Sequence, residues 1–211
     1  MLQLWYVWFA GLGISFLGQL PLGNMNLTAT QLSVQENHTS AWKYGLGIVI
    51  VEVIYLRLAL SGMDWVVENK TLFTIMGWVT VVVFIVLGVL AFVMARKQTS
   101  AKKGLLINNK INRFLLGAMV SGVNPAQIPF WFLWSTQLLD AKVILPTTLH
   151  FNLFTVGAGI GSLAGLAVYI HGGKWLITKM KTSNRGLNVF MGVVFIFAGL
   201  FQLYNMLFKN K

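Results

Sequence analysis

The sequence predicts an all-α integral membrane protein with six transmembrane helices arranged as two inverted three-helix repeats. Three observations support this prediction: the composition, the spacing of the long apolar segments, and a Gly-x-x-Pro break that occurs once in each half. Of the 211 residues, 56% are hydrophobic and only 10% are charged, and the mean hydropathy is +0.72. Because a soluble domain carries about a quarter charged residues, this composition suits lipid rather than water.

Six segments are long and apolar enough to cross a bilayer. At roughly 20 residues per span, they cover about 4–25, 42–60, 72–95, 114–138, 144–170 and 187–208. We expect one membrane domain over 1–211, with a first repeat at 1–95, a cytoplasmic basic loop at 96–113 and a second repeat at 114–211. The first twenty residues have no basic n-region, so we expect a retained helix there rather than a cleaved signal peptide.

The basic residues indicate orientation rather than a nucleic-acid partner. The formal charge is +11, but the lysines and arginines cluster between apolar segments instead of forming a patch on a folded surface. Eleven of the 16 follow the first, third and fifth segments, and four lie on the other side. The positive-inside rule therefore predicts both termini outside the cytoplasm. The chain has no Cys, which excludes disulfides and Cys-based metal sites, and we predict no cofactor.

The first and fourth segments contain the same break. Residues 18–21 and 122–125 are both Gly-x-x-Pro, displaced by 104 residues. Since each half has three helices, an odd number, the second half must be inverted relative to the first. Breaks at corresponding positions of two halves indicate a transporter's binding site, although either proline alone is more simply a structural kink. The candidate substrate-binding or gating residues are Gly18, Pro21, Gly23, Asn24, Asn26, Gly122, Asn124, Pro125, Gln127 and Pro129.

The physical reason lies in the backbone hydrogen bonds. Proline removes one donor and frees a carbonyl group, and an unsatisfied polar group in hydrocarbon is costly. A break survives where water, polar neighbours or a substrate satisfy it. The opened backbone offers carbonyl groups to a cation and N–H groups to an anion, so a zwitterionic amino acid suits such a site.

One acidic residue, Glu52, lies near the middle of the second segment. A charge at that depth is expensive and is functional by default. Because burial disfavours the charged form of a carboxyl group, Glu52 is a candidate for proton coupling. The alternative is a static partner for Arg57, but a spacing of five residues places the two roughly 140° apart around a helix. Arg57 and Asn152 are further candidates, and the three widely spaced histidines predict no metal site.

Three short motifs resemble the LysE/RhtB (L-lysine exporter) family of amino-acid exporters. The first helix ends in Gly18, Pro21, Gly23 and Asn24; the second is glycine-rich with a mid-membrane acid, through Gly45, Gly47 and Glu52; the fourth has Asn124 and Pro125 followed by Phe130 and Trp131. The resemblance covers essentially the whole chain. Asn24 stands where the family's Pro-Gly-Pro motif has its second proline, and the acid is Glu where Asp is usual.

The resemblance implies a secondary transporter rather than an enzyme, in the bacterial inner (plasma) membrane. It would export amino acids or similar small polar solutes in exchange for protons, by alternating access. The central site would comprise Pro21, Gly23, Asn24, Asn124 and Pro125, with Glu52 at the family's acidic position. The expected partners are such a solute, protons and membrane lipids, and a homo-oligomer stays open.

Three other functions compete with this prediction. Related branches of the superfamily export divalent cations, and a channel would share the same composition. A membrane-embedded enzyme or assembly factor is the third alternative, but Ser121 has no acid or histidine near it in sequence to activate it as a nucleophile.

Overall fold

A computed structural model describes residues 2–20, 23–96 and 111–209 of the chain. Every regular element within these ranges is helical, which confirms the all-α prediction. The helices are α1 (Leu2–Gln19), α2 (Asn24–Gln35), α3 (His38–Glu68), α4 (Lys70–Arg96), α5 (Arg113–Gly122), α6 (Gln127–Asp140), α7 (Thr148–His171) and α8 (Gly173–Tyr204). A π-helical turn, Asn205–Lys209, follows α8.

Four of the described helices are long and apolar enough to cross a membrane by themselves. These spans are His38–Met63, Lys70–Arg96, Thr148–His171 and Asn188–Phe208, and they correspond to the second, third, fifth and sixth predicted segments. The first predicted segment is divided between α1 and α2, and the fourth between α5 and α6. Both divisions fall at the Gly-x-x-Pro positions, so the two helix breaks are observed where they were expected.

Side-chain caps explain where two of the long helices begin. Asn37 precedes α3, and its side-chain oxygen accepts a hydrogen bond of 2.8 Å from the backbone N–H of Ser40. Thr147 precedes α7 and accepts one of 3.4 Å from the backbone N–H of His150. Such caps satisfy backbone donors that have no partner within the helix. Residues 144–147, which were expected in the fifth helix, therefore lie before it.

The largest departure from the predicted segments is at α8. This helix begins at Gly173, whereas the sixth span was expected from about residue 187 on the criterion of apolar length. The basic connection before that span is therefore helical rather than a loop. A helix can continue past the apolar segment because its backbone hydrogen bonds are made within the helix, in water as in lipid.

Glycines bring α1 and α7 to backbone contact. A Cβ atom at Gly157 would overlap the carbonyl oxygen of Trp8, and one at Gly161 would overlap that of Leu12. Positions further along α1 thus meet positions further along α7, so the two helices run parallel. Small residues allow this close approach between helices in a membrane protein.

The same arrangement recurs between α3 and α5. A Cβ atom at Gly47 would overlap the carbonyl oxygen of Phe114, and one at Gly117 would overlap that of Tyr44. Here the hydroxyl of Ser121 donates to the carbonyl of Ile48 over 3.2 Å, so these helices are parallel as well. In both pairs, the first helix of one half of the chain packs against a long helix of the other half.

Two further contacts complete the bundle. α4 and α8 run antiparallel, since Gly88 packs on Ile196 and Gly199 on Ile85. α3 and α7 run antiparallel, since Gly45 packs on Leu166 and Gly159 on Val53, and Glu52 meets Ser162 between these contacts.

The centre of α3 and α7 is a polar layer between two apolar clusters. One cluster includes Leu56, Phe154 and Ala158, and the other includes Ile48 and Leu166. Glu52 lies between 48 and 56 on α3, and Ser162 lies between 158 and 166 on α7. Two buried apolar clusters therefore separate the polar layer from the two ends of the bundle.

Candidate functional site

Glu52 is buried in the polar layer, with 8% of its surface exposed. The side-chain amide nitrogen of Gln19 donates to both carboxylate oxygens, at 2.7 and 2.8 Å. The hydroxyl of Ser162 donates to Oε2 at 2.6 Å. Among the described residues, no Lys, Arg or His side chain forms an ion pair with it. The carboxylate is therefore held by neutral dipoles, which suits a group that exchanges a proton or meets a mobile cation.

A second hydroxyl extends this cluster into α1. Ser15 and Ser162 are hydrogen-bonded through their Oγ atoms at 2.7 Å, and both are buried. The parallel packing of α1 on α7 sets this register, because glycine contacts fix the two helices from Trp8 onward. The buried polar atoms of three helices thus converge on one carboxylate.

Gln19 fits beside α7 because position 165 has no side chain. A Cβ atom at Gly165 would lie 2.5 Å from the Cβ of Gln19 and 3.4 Å from the carbonyl oxygen of Phe16. Gln19 is also the last residue of α1. One residue therefore both contacts Glu52 and ends the helix at the first break.

Side chains from two other helices satisfy the backbone of the first break. Asn26 on α2 donates its amide to the carbonyl of Gln19 at 2.5 Å. The hydroxyl of Tyr169 on α7 donates to the carbonyl of Leu20. The free carbonyl groups that a broken helix leaves are thus bonded within the protein, as required in an apolar medium.

The second break is satisfied in a similar way, but without a charged group. The hydroxyl of Tyr55 on α3 donates to the carbonyl of Gly122 at 2.8 Å. Asn124 accepts a hydrogen bond from the backbone N–H of Ala126 at 3.1 Å. The amide of Gln127 donates to Ser121 at 2.7 Å.

The two breaks lie close to one another. A Cβ atom at Gly18, just before the first break, would lie 3.1 Å from the ring of Phe130. Phe130 belongs to α6, which begins immediately after the second break. The residues that flank the two breaks are therefore in contact at this point; Pro21 and the side chain of Asn24 fall outside the described residues.

The remaining candidates differ in exposure. Asn26, Gln127 and Pro129 are buried, Gly122 and Asn124 are half-buried, and Gly18, Gly23 and Pro125 are exposed. Asn152 is exposed as well and lies outside the polar layer. Its exposure follows from the helix geometry, since adjacent residues on a helix point about 100° apart. Its neighbour Phe151 takes the buried position.

Arg57 does not pair with Glu52. Its guanidinium donates to Ser61 at 2.8 Å and lies over the ring of Phe151, 5.6 Å from the ring centroid. The guanidinium therefore contacts Ser61 on the same helix and Phe151 on α7. This agrees with the five-residue spacing that argued against a direct pair with Glu52.

Sequence reasoning missed five residues of the site. They are Ser15, Gln19, Tyr55, Ser162 and Tyr169. Gln19 stands inside the first Gly-x-x-Pro segment, and its polarity at the end of an apolar run was the one available signal. Serine and tyrosine are common in membrane helices, so their positions carried no comparable signal.

One ion pair connects the halves at the end of the bundle where α2 ends. Arg113, the first residue of α5, contacts Glu36 just after α2, with Nη2 2.5 Å from Oε1 and Nε 3.2 Å from Oε2. Within the part of the chain that the structure describes, no three residues of His, Cys, Asp or Glu gather as a metal site would require.

The fold and the site define a multi-pass helical membrane protein built around an internal polar layer between broken helices. A family model described as LysE type translocator matches residues 16–206, which include both breaks and Glu52. The chain therefore belongs to the LysE type translocator family, and it is a membrane transporter. The predicted family is confirmed. Neither curated proteins nor solved structures gave a match to the chain.

Proposed function

We propose that this protein exports amino acids or similar small polar solutes across the bacterial inner (plasma) membrane in exchange for protons, by alternating access. The observation that carries the proposal is Glu52, a buried carboxylate bonded by Gln19 and Ser162 without a cationic partner among the described residues. Family membership supports transport of small solutes.

Glu52 is the proton-coupling residue in this proposal. A carboxylate that a fixed arginine or lysine neutralised would remain ionised throughout a transport cycle. Glu52 has only neutral donors among the described residues, so a proton can remove its charge or the ammonium group of a solute can balance it. The two apolar clusters separate it from both ends of the bundle, and alternating access would open one of them at a time.

The two breaks form the solute site and its gate. Their backbone groups are bonded by side chains such as Asn26, Tyr55 and Tyr169 rather than by helical hydrogen bonds. Such bonds can be exchanged for bonds to a solute without unwinding a helix. Gly18, Gly23, Asn124, Pro125 and Gln127 complete the site, and Pro21, Asn24, Gly122 and Pro129 belong to it by position.

Six spans in two inverted halves are the architecture that we propose. Each broken pair, α1 with α2 and α5 with α6, would cross the membrane as one span. The packing supports this symmetry, because α1 contacts α7 through glycines just as α5 contacts α3. The first repeat is 1–95, the connection 96–113, and the second repeat 114–211. The distribution of basic residues places both termini outside the cytoplasm.

Efflux from cells tests the proposal. Cells that express the wild type, Glu52→Gln or Glu68→Gln are loaded with a panel of amino acids and dipeptides, and export is followed with and without a pH gradient. We expect pH-driven export of at least one solute to be lost in Glu52→Gln. Glu68→Gln is the matched control, because Glu68 ends the same helix and is exposed.

The outcome separates the proposal from its competitors. Normal pH-driven efflux by a Glu52→Gln variant that inserts in the membrane would contradict it. Electrical conductance of the reconstituted protein in a planar bilayer would instead identify a channel.

A further inference from the structure

We infer that Gln19 is a positioning residue that links the charge of Glu52 to the first helix break, and that Gly165 makes this link possible. The inference rests on the proposed role of Glu52 as the proton-coupling residue. Gln19 has not been assigned to the site by sequence pattern or by family membership.

The hydrogen bonds around Glu52 fit its ionised form. Gln19 donates to both carboxylate oxygens and Ser162 donates to Oε2, so each oxygen faces a donor hydrogen. When a proton binds, one oxygen becomes an O–H donor and meets the hydrogens of these groups. The protonated group has less capacity to accept, so the hydrogen bonds from Gln19 and Ser162 weaken or rearrange. Hydrogen bonds to an ionised group are also roughly twice as strong as neutral ones.

Gln19 also takes part in the first helix break through its backbone. Its backbone carbonyl accepts from Asn26 on α2 at 2.5 Å, and the next carbonyl, of Leu20, accepts from Tyr169 on α7. With Glu52 ionised, Gln19 therefore connects the end of α1 to α2 and α3 at once. Protonation of Glu52 weakens one side of this connection and loosens α2.

One other titratable pair reaches α2: His38 is hydrogen-bonded to Ser33 at 3.0 Å and stacks on His171, with ring centroids 5.2 Å apart. Comparing each variant with its parent at the same pH cancels the effect of this pair on α2. Other titratable groups on the surrounding helices bond elsewhere: Tyr55 to Gly122, Arg57 to Ser61, Tyr169 to Leu20, His150 to Leu145, and Glu36 to Arg113. None of them has a hydrogen bond or ion pair with Glu52.

The chain has no cysteine, so one introduced thiol reports on one position. Ala29 on α2 and Ala95 on α4 are both buried, with 0% and 3% of their surface exposed. Ala29→Cys is the reporter and Ala95→Cys its matched control. Each is labelled in proteoliposomes with a small water-soluble maleimide at mildly alkaline and mildly acidic pH. Each labelling rate is measured with and without a second substitution near Glu52. The ratio of the two rates at one pH, called the rate ratio below, cancels the titration of the thiol itself.

Gln19→Met removes the donor at similar size. We expect the rate ratio at Ala29→Cys to be about tenfold in alkaline buffer, because the charge-assisted bonds are lost. In acidic buffer we expect a ratio near unity, since Glu52 is protonated and the connection is already weak. The ratio at Ala95→Cys should stay near unity at both pH values.

Gly165→Ala tests the same connection without changing Gln19. Its added methyl group displaces Gln19, whereas that of Gly159→Ala meets only the end of the Val53 side chain, at 3.2 Å. Gly165→Ala should therefore reproduce the Gln19→Met profile, and Gly159→Ala should leave the ratio near unity. Gly165→Ala also serves if Gln19→Met is not monodisperse in gel filtration.

Glu52→Gln in the same assay separates the two proposals. It should behave like Gln19→Met, because it removes the charge permanently. A ratio near unity for Glu52→Gln at both pH values would overturn the inference, while loss of pH-driven export in the same variant would leave the proton-coupling role standing. A raised ratio for Glu52→Gln beside a flat one for Gln19→Met would overturn only the inference about Gln19. A Gln19→Met ratio raised equally at both pH values would show a structural role and overturn it too.

Discussion

At the break between α1 and α2, the backbone carbonyl groups of Gln19 and Leu20 accept hydrogen bonds from side chains, and the Gln19 amide reaches a carboxylate. At the break between α5 and α6, the carbonyl of Gly122 also accepts from a side chain, but the nearby amide of Gln127 reaches the neutral hydroxyl of Ser121. The two breaks thus share their backbone chemistry and differ in charge.

Under the proposed function, this difference gives the two halves separate tasks. A symmetric scaffold needs only that both broken helices be satisfied, and neutral groups do this at the second break. The side-chain oxygen of Gln127 is buried there and has no hydrogen-bond partner among the described residues. This oxygen can therefore accept a hydrogen bond from another group. The first break is joined to Glu52, the carboxylate to which we assign proton coupling.

The largest effect should come from the glycine contacts, where the halves agree. Gly157→Ala and Gly47→Ala each drive a Cβ atom into a backbone carbonyl of the neighbouring helix. We expect each to lower the free energy of unfolding by about 3 kcal/mol or more, because backbone cannot move aside as a flexible side chain can. Thermal unfolding in detergent, followed by tryptophan fluorescence, measures the loss.

Gly13→Ala is the control, since a Cβ atom there meets nothing within 4 Å. It should unfold like the wild type to within about 1 kcal/mol. A large difference between Gly157→Ala and Gly47→Ala would show that the two packings are not equivalent.

A smaller effect should distinguish the halves. Ser162→Ala removes a hydrogen bond to the Glu52 carboxylate and one with Ser15. Ser121→Ala removes one to the Ile48 carbonyl and one from the Gln127 amide. We expect a cost of about 1.5–3 kcal/mol for the first in alkaline buffer and about 0.5–1.5 kcal/mol for the second. Only Ser162→Ala should also alter how export depends on pH. Equal costs and unchanged pH profiles for both variants would remove the distinction between the breaks.

The smallest effect should come from the ion pair between the halves. The Glu36 and Arg113 side chains are partly exposed, at 25% and 15%, so a double-mutant cycle with Glu36→Gln and Arg113→Gln should give a coupling of about 0.2–1 kcal/mol. Arg113 has further contacts. The double-mutant cycle subtracts their contribution, because it measures only the coupling between the two substituted residues. The coupling should fall as salt is added; a coupling that salt leaves unchanged would place the pair in a drier setting than its exposure indicates.

The sequence allowed the breaks and Glu52 to be predicted because both violate a local rule. Proline cannot donate a helical hydrogen bond, and a carboxylate in an apolar segment is costly wherever it lies. Gln19 and Ser162 violate no such rule. They become part of the site through the register of α1 on α7, and that register depends on glycine contacts between residues far apart in sequence.

Two other expectations show where local reasoning stops. Asn152 was a candidate because it is polar within a span, yet its position around the helix axis leaves it exposed. The sequence does not predict the start of α8 at Gly173, because basic residues between apolar segments are typical of a loop. Polarity identifies which residues are unusual in lipid, but not the direction in which each one points.

The parallel pairing of α1 with α7 also has a consequence for biogenesis. Ser15 and Ser162, which meet across this pair, are 147 residues apart in sequence. α3 finds α5 much earlier, since Ser121 and Ile48 are separated by 73 residues. During synthesis the glycine-bearing face of α1 must therefore wait in the bilayer or the insertion machinery until α7 is made, so the polar layer assembles late, with the packing of α8 on α4 to follow.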